Sequence, residues 1–290
     1  MIVAGDDAEA AAAVATARRK LLEWNAQLSR FEPDSELSRL NADPRREVPV
    51  SPILRRVIVA AVGAAEQTGG LVDVTLLAEL RAAGYVSHFE RDSWPLAEAL
   101  RLAPSRAAAG PHPLARWRGV EVDRHAGVVI RPPGVTIDSG GIAKGVLADE
   151  LAPLLSGHAA FAIDCSGDIR LGGRAGAQRT VEVASPFEDA ILYRFELAAG
   201  GVATSGIGRR SWPDRDGRPA HHLLDPATGR PAFTGVVQVT ALAPSATEAE
   251  VLSKAALLSG PAGAARWLRH GGVVVLEDGS YRVLAPGSGD

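Results

Sequence analysis

Apolar positions recur at helical spacing early in the chain, and at alternating or continuous spacing through most of the second half. Over residues 6–31, Val14, Ala17, Leu21 and Leu28 follow helical intervals, and Asp6 with Glu9 forms a capping-box pattern, so a long amphipathic helix is expected. The segment "PDSELSRLN" (33–41) reads as a short acidic-capped turn. In "VSPILRRVIVAAVGAAEQTGG" (50–70), Ser51 is a cap, Pro52 suits the first helical position and Gly69 is a stop. "TLLAELRAAGY" (75–85) predicts a short helix ended by Gly84, and the Ala/Pro/Arg/His-rich stretch 86–118 predicts a helix over 95–102 followed by loop.

The pattern then changes. "GVEVD" and "GVVIRP", separated by "RHA", predict a hairpin, and "GVTID" (134–138) predicts a strand leading into a helix over 142–155. Strands are expected at 159–164, 180–185, 191–198 and 235–243, helices at 247–259 and 262–270, and a closing hairpin at 272–285. Early helices, and hairpins mixed with crossovers, indicate α+β with mixed or antiparallel sheets. No repeat or linker divides the chain, so residues 1–290 are expected to form one domain.

Composition narrows the function classes. The 290 residues are 46% hydrophobic and 22% charged, as in ordinary globular proteins. Lys plus Arg number 31 against 34 Asp plus Glu, a net charge of −3 that argues against a general nucleic-acid binder. Cys165 is the one cysteine, which excludes an intrachain disulfide, and its apolar surroundings mark it as a small buried hydrophobe. The N-terminus has acids ahead of its alanines and lacks a signal-peptide pattern, and no apolar run is long enough to span a membrane. The sequence as written therefore predicts a cytoplasmic protein.

Candidate chemistry gathers in three stretches. In "VTIDSGGIAKG" (135–145), Gly140 and Gly141 precede Lys144 at a helix start, where free amides and a lysine suit an anion. The stretch is neither a Walker loop nor a dinucleotide fingerprint, and a tight turn with a solvated lysine explains it equally well. "GGVATSGIGRRSW" (200–212) puts Thr204 and Ser205 beside Gly206, groups that suit phosphate oxygens or an ordinary polar turn. "HHLLDPATGRP" (221–231) holds His222 just ahead of Leu223 and Leu224, with Asp225 opening a β-turn; a histidine held there can take a proton near neutral pH.

The segments "SRFEPDSELSRLN" (29–41), "TGGLVD" (68–73), "IDSGGIAKGVLAD" (137–149), "SGDIRLGG" (166–173), "GGVATSG" (200–206), "HHLLDPATGRP" (221–231) and "AEVLSKAALLSG" (249–260) resemble in content and order the FAD:protein FMN transferases, or ApbE-type flavin transferases. The resemblance implies a T-fold-like core. It also implies FAD as substrate, transfer of FMN to a Thr or Ser hydroxyl of an acceptor protein, and release of AMP. It puts Asp138, Gly140, Gly141, Ile142, Ala143 and Lys144 on the cofactor, and Thr204 and Ser205 on phosphate oxygens. Asn41 would line the flavin side. His222 would be the general base, also touching the cofactor, with Asp225 bracing its turn. An FAD pyrophosphatase and a non-catalytic FAD-binding protein are the alternatives at the same site.

The chain departs from the family pattern at three places. The family binds Mg²⁺ with an Asp, a Thr four residues later and a carbonyl of the glycine turn. Here the matching positions are Glu250, Lys254 and Ala143. Glu250 offers oxygens to a hard cation, but a protonated lysine has no lone pair for one. The expectation is therefore a Lys254 ammonium paired with Glu250 and facing the cofactor, with metal at Ala143 and Glu250 as the alternative. Ser166 stands where glycine is usual, and the family's N-terminal strand is expected to be missing, with "MIVAG" leading directly into the first helix.

Overall fold

The structure is a computed structural model that describes residues 2–4, 8–87 and 94–287. Its centre is a seven-stranded sheet whose strands run in chain order: β1 (Ile2–Ala4), β2 (Phe161–Cys165), β3 (Asp168–Gly172), β4 (Gly200–Gly206), β5 (Val236–Ala243), β6 (Gly272–Leu276) and β7 (Tyr281–Leu284). Every neighbouring pair is antiparallel, so the sheet is a meander with long excursions between some strands. In the excursion between β3 and β4, Arg179–Ala184 and Ile191–Leu197 form a ribbon of their own. Its Val181 packs with Leu171 and Val202 of the sheet.

The helices are α1 (Ala8–Leu28), α2 (Glu36–Ala42), α3 (Pro52–Gln67), α4 (Leu77–Ala82), α5 (Leu96–Leu102), α6 (Ala143–Leu155) and α7 (Ala246–Leu258). Helix α7 lays Ala249, Leu252 and Ala256 against Val239 and Ala241 of β5, and α1 sets Ala10 and Ala17 against Ala148 and Leu151 of α6. In α3, Ser51 Oγ accepts the Leu54 amide, Pro52 opens the helix, and Gly69 beyond its end takes φ +61°, as the sequence predicts.

Helices α6 and α7 cap one another. Asp149 on α6 accepts the Ala246 and Thr247 amides at the start of α7, at 3.0 and 2.9 Å. Glu250 on α7 in turn accepts the Gly145 amide in the first turn of α6, at 2.8 Å. Each carboxylate meets the unsatisfied amides and positive dipole end of the other helix. Gly145 makes the approach feasible, because a Cβ there would lie 2.7 Å from both the Ala246 carbonyl and the Thr247 Cα.

Several expectations need correction. Residues 36–42 form the helix α2, with Ser35 Oγ accepting the Ser38 amide, rather than a turn. "GVTID" is extended but is no strand. Its Ile137 backbone is held by the Asn41 carboxamide, at 2.7 and 2.8 Å, and its Asp138 amide by the Val74 carbonyl. A side chain there does the work of a neighbouring strand. The helix expected over 262–270 is only a turn at Gly260–Gly263 and a 3₁₀ turn at Ala265–Trp267. The N-terminal strand expected to be missing is present, since Ile2–Ala4 pairs with Phe161–Ile163. Strand β3 was missed; its "DIRLG" is too short to show a period. Asp6, half of the expected capping box, lies outside the described residues.

Candidate functional site

A cavity of about 800 Å³ opens where the end of α1, the glycine turn before α6, the β2–β3 turn, α7 and the 221–231 loop converge. Asp138, Gly140, Gly141, Ala143, Lys144, His222 and Lys254 all line it, although they come from three distant parts of the chain. Ser139 helps to place the glycine turn: its Oγ donates to the Leu28 carbonyl at the end of α1, at 2.8 Å.

One wall is an ion network. The Lys144 ammonium bonds Asp168 and lies 3.6 Å from Glu250 Oε1, while Lys254 Nζ donates to the same Oε1 at 2.9 Å. Both carboxylates are 1% exposed. Burial raises Asp168 to about 7, with the Glu250 charge adding to the rise and Lys144 opposing it. Burial acts on Glu250 in the same sense, but Lys254, Lys144 and the Gly145 amide outweigh it and hold Glu250 well below the usual carboxylate range. Burial works against the Lys144 charge too, yet Glu250 and Asp168 keep it above its ordinary value. The result is a wall of two fixed ammonium groups at the start of a helix.

The histidine lines the same cavity. Burial, with the Arg210, Lys254 and Lys144 charges and the neighbouring His221 ring, holds His222 well below the usual imidazole range. It is therefore a neutral base at pH 7, and its Nδ1 has no hydrogen-bond partner among the described residues. Asp225 lies outside the cavity lining. Its Oδ1 accepts the Gly110 and Ala227 amides and its Oδ2 the Thr228 hydroxyl, so it braces the turn that follows the histidine.

Three arginines that sequence reasoning missed line the same cavity, Arg30, Arg209 and Arg210. Arg30 pairs with Asp138 at 2.9 Å and lies against the rings of both Phe31 and Tyr85, which meet edge to face, with its Cζ 4.1 and 4.4 Å from their centroids. Its Nη2 is buried with no hydrogen-bond partner among the described residues. Tyr85 stacks in turn on Trp212. Arg210 lines the cavity and has no ion-pair partner among the described residues. Arg30 lies in a segment that carries the resemblance, "SRFEPDSELSRLN", and Arg209 and Arg210 follow "GGVATSG", but no spacing rule distinguishes them from the chain's other arginines.

Four predicted contacts fall elsewhere. Asn41 is spent on the Ile137 backbone and positions the strand-like segment ahead of the glycine turn. The Ile142 side chain is fully buried in the core and its amide donates to the Ser139 carbonyl. Thr204 and Ser205 point to opposite faces of β4, as adjacent strand residues must. Thr204 bonds Thr240 on one face and Ser205 bonds Ser253 of α7 on the other, each at 2.8 Å, and neither lines the cavity.

The donor set does not suit a divalent cation. Both Glu250 oxygens are engaged, Oε2 by the Gly145 amide and Oε1 by two ammonium groups. Among the described residues no three His, Cys, Asp or Glu side chains gather as metal ligands. Mg²⁺ favours an octahedral set of oxygens at about 2.0–2.1 Å, which this constellation does not offer.

Ser166, on the β2–β3 turn, takes φ +59°, a left-handed conformation that costs a non-glycine residue about 1 kcal/mol. Ser166→Gly is expected to raise stability by about 0.5–1 kcal/mol after allowing for the freer unfolded chain, read as a higher denaturation midpoint.

The chain matches the family model described as "ApbE family" over residues 2–276. It is 32% identical over 249 residues to the FAD:protein FMN transferase of Treponema pallidum, covering 80% of this chain and 67% of that protein. It is 25% identical to a protein of the same name from Klebsiella pneumoniae, over 99% of this chain and 81% of that one. The ApbE protein of Thermotoga maritima superposes with a TM-score of 0.74 at 26% identity, covering 97% of this chain and 91% of that chain. The flavin transferase ApbE of Vibrio cholerae has a TM-score of 0.73 at 23% identity, which speaks for the fold alone. With a family match from the first strand of the sheet to the end of its sixth, and relatives alike over most of their own length, this chain belongs to the ApbE family.

Proposed function

We propose that this protein transfers FMN from FAD to a threonine or serine hydroxyl of an acceptor protein and releases AMP. One observation carries the reading: the glycine turn, Lys144, Lys254 and a neutral His222 share one cavity of about 800 Å³. That volume falls within the range of ligand pockets, about 300–1,000 Å³. Relatives of this chain bear the name FAD:protein FMN transferase.

In this reading the pyrophosphate of FAD lies against the ammonium wall, and the hydroxyl approaches from the His222 side. The hydroxyl oxygen attacks the phosphorus on the flavin side, and its proton passes to the neutral imidazole. The bond to the bridging oxygen breaks and AMP leaves with that electron pair. Such a transfer is mostly positioning and charge neutralisation, which Lys144, Lys254 and the Arg30–Asp138 pair supply without moving. No helix among the described residues is long and apolar enough to cross a membrane. We read residues 1–290 as one domain built around this cleft.

The test is incubation with FAD, with and without the proteins of the source cell, followed by separation of nucleotides and in-gel flavin fluorescence. AMP with a covalently fluorescent protein band is the expected result. AMP with free FMN and no band would show a pyrophosphatase, and bound FAD without AMP a carrier; either would overturn the transferase reading.

A further inference from the structure

We infer that Lys254 supplies, from within the protein, the positive charge that a divalent cation would bring to the pyrophosphate, so that this chain handles FAD without metal. The inference deepens the proposed function and rests on that reading of the cavity.

The geometry is specific. Lys254 lies one helical turn beyond Glu250 on α7, and its ammonium donates to Glu250 Oε1 at 2.9 Å. Its stem runs beside the glycine turn, since a Cβ on Gly141 would sit 3.7 Å from Lys254 Cε. The ammonium is therefore held between the turn and the carboxylate, where an ion shared by the two would lie. An ammonium has three protons to donate. Glu250 takes one, and Lys254 lines the cavity, so the others are available to phosphate oxygens.

The neighbours reinforce this arrangement. Lys144 reaches the same Glu250 oxygen at 3.6 Å, so a divalent cation at Glu250 would face two ammonium groups at close range. The other Glu250 oxygen is tied to the start of α6 by Gly145 and cannot turn toward a metal without uncapping that helix. Asp168 is engaged by Lys144, and Asp138 by Arg30. Glu250, Asp168 and Asp138 thus each already have a protein cation, and Arg210 adds a further positive charge to the cavity.

Three measurements test the inference, none depending on turnover. The first is FAD affinity, read by flavin fluorescence in excess EDTA and in millimolar magnesium. Wild-type affinity is expected to be the same in both, and to fall about 10- to 100-fold in Lys254→Met, the loss of a charge-assisted hydrogen bond. The second is Lys254→Thr, which is expected to bind FAD weakly in EDTA and to recover when magnesium is added. The third is Mn²⁺ paramagnetic resonance on the flavin-free proteins, expected to show bound ion in Lys254→Thr and none in wild type.

Tighter wild-type binding with magnesium, undiminished binding by Lys254→Met in EDTA, or no recovery of Lys254→Thr with magnesium would overturn the inference. Should the variants fail to fold, the wild-type comparison decides alone. Wild-type protein that binds no FAD in either condition would instead remove the functional reading on which the inference stands.

Discussion

AMP release from FAD is expected to fall about 10²- to 10⁴-fold in His222→Ala, the usual contribution of a positioned general base, with FAD affinity nearly unchanged. The cause is specific to the imidazole, because in the proposed reading the charges that face the phosphates belong to other cavity residues, Lys144 and Lys254. The pH profile carries the same claim. A histidine works as a base only when neutral, and burial with four neighbouring positive or ring groups keeps His222 neutral well below its ordinary range. The rate should therefore stay level as pH falls through about 6.5, the value for a free imidazole, and decline only at lower pH. A limb centred on the ordinary histidine value would mean that the groups seen around His222 are absent during turnover.

Removal of Lys144 is expected to have the largest effect on stability. In Lys144→Met the Asp168 carboxylate, 1% exposed, loses its ammonium, and breaking a buried pair in this way costs about 3–5 kcal/mol. The loss should depend on pH, and its sign can be worked out. Asp168 is already raised to about 7 with Lys144 present, and without it the carboxyl rises further. The unfolded chain ionises near 3.8, so folding takes up a proton between that value and the folded one, and stability falls as pH rises across the interval. The variant should be closest to wild type near pH 5 and furthest from it near pH 8, as followed by denaturant unfolding. Adding Asp168→Asn removes the orphaned charge and should recover much of the loss. A variant equally stable at both pH values would show that Asp168 is not confined as the structure has it.

The parts of this architecture that were legible in the sequence are those with local causes. Helix α3 was readable from Ser51, Pro52 and Gly69, and the 121–130 hairpin from alternation around Asp123 and Gly127. The antiparallel order of the sheet was less so, because the excursions between its strands hide which strands are neighbours. "GVTID" looked like a strand because its β-branched residues are those of one; its hydrogen-bond partner is a side chain, Asn41, that lies 96 residues earlier. The same fact misassigned Asn41, since a motif match gives position without direction. Thr204 and Ser205 could have been separated by strand alternation alone, which forbids both from reaching one ligand. The Lys254–Glu250 ion pair was legible, since a four-residue distance on one helix puts the two side chains side by side.

Reciprocal capping explains how a site made from separate segments keeps its shape. Glu250 serves the α6 terminus and the Lys254 ammonium together, so the carboxylate that holds two helices in register also orients the charge facing the cavity. Stability and binding geometry are coupled at that residue.

The most direct measurement is a crystal structure of the protein soaked with FAD. The diphosphate bridge is expected within hydrogen-bonding distance of Lys144 and Lys254, and the flavin-side phosphorus within reach of a hydroxyl held by His222. Density for the nucleotide on another face, with the cleft between residues 140–144 and 222 filled by solvent alone, would contradict it.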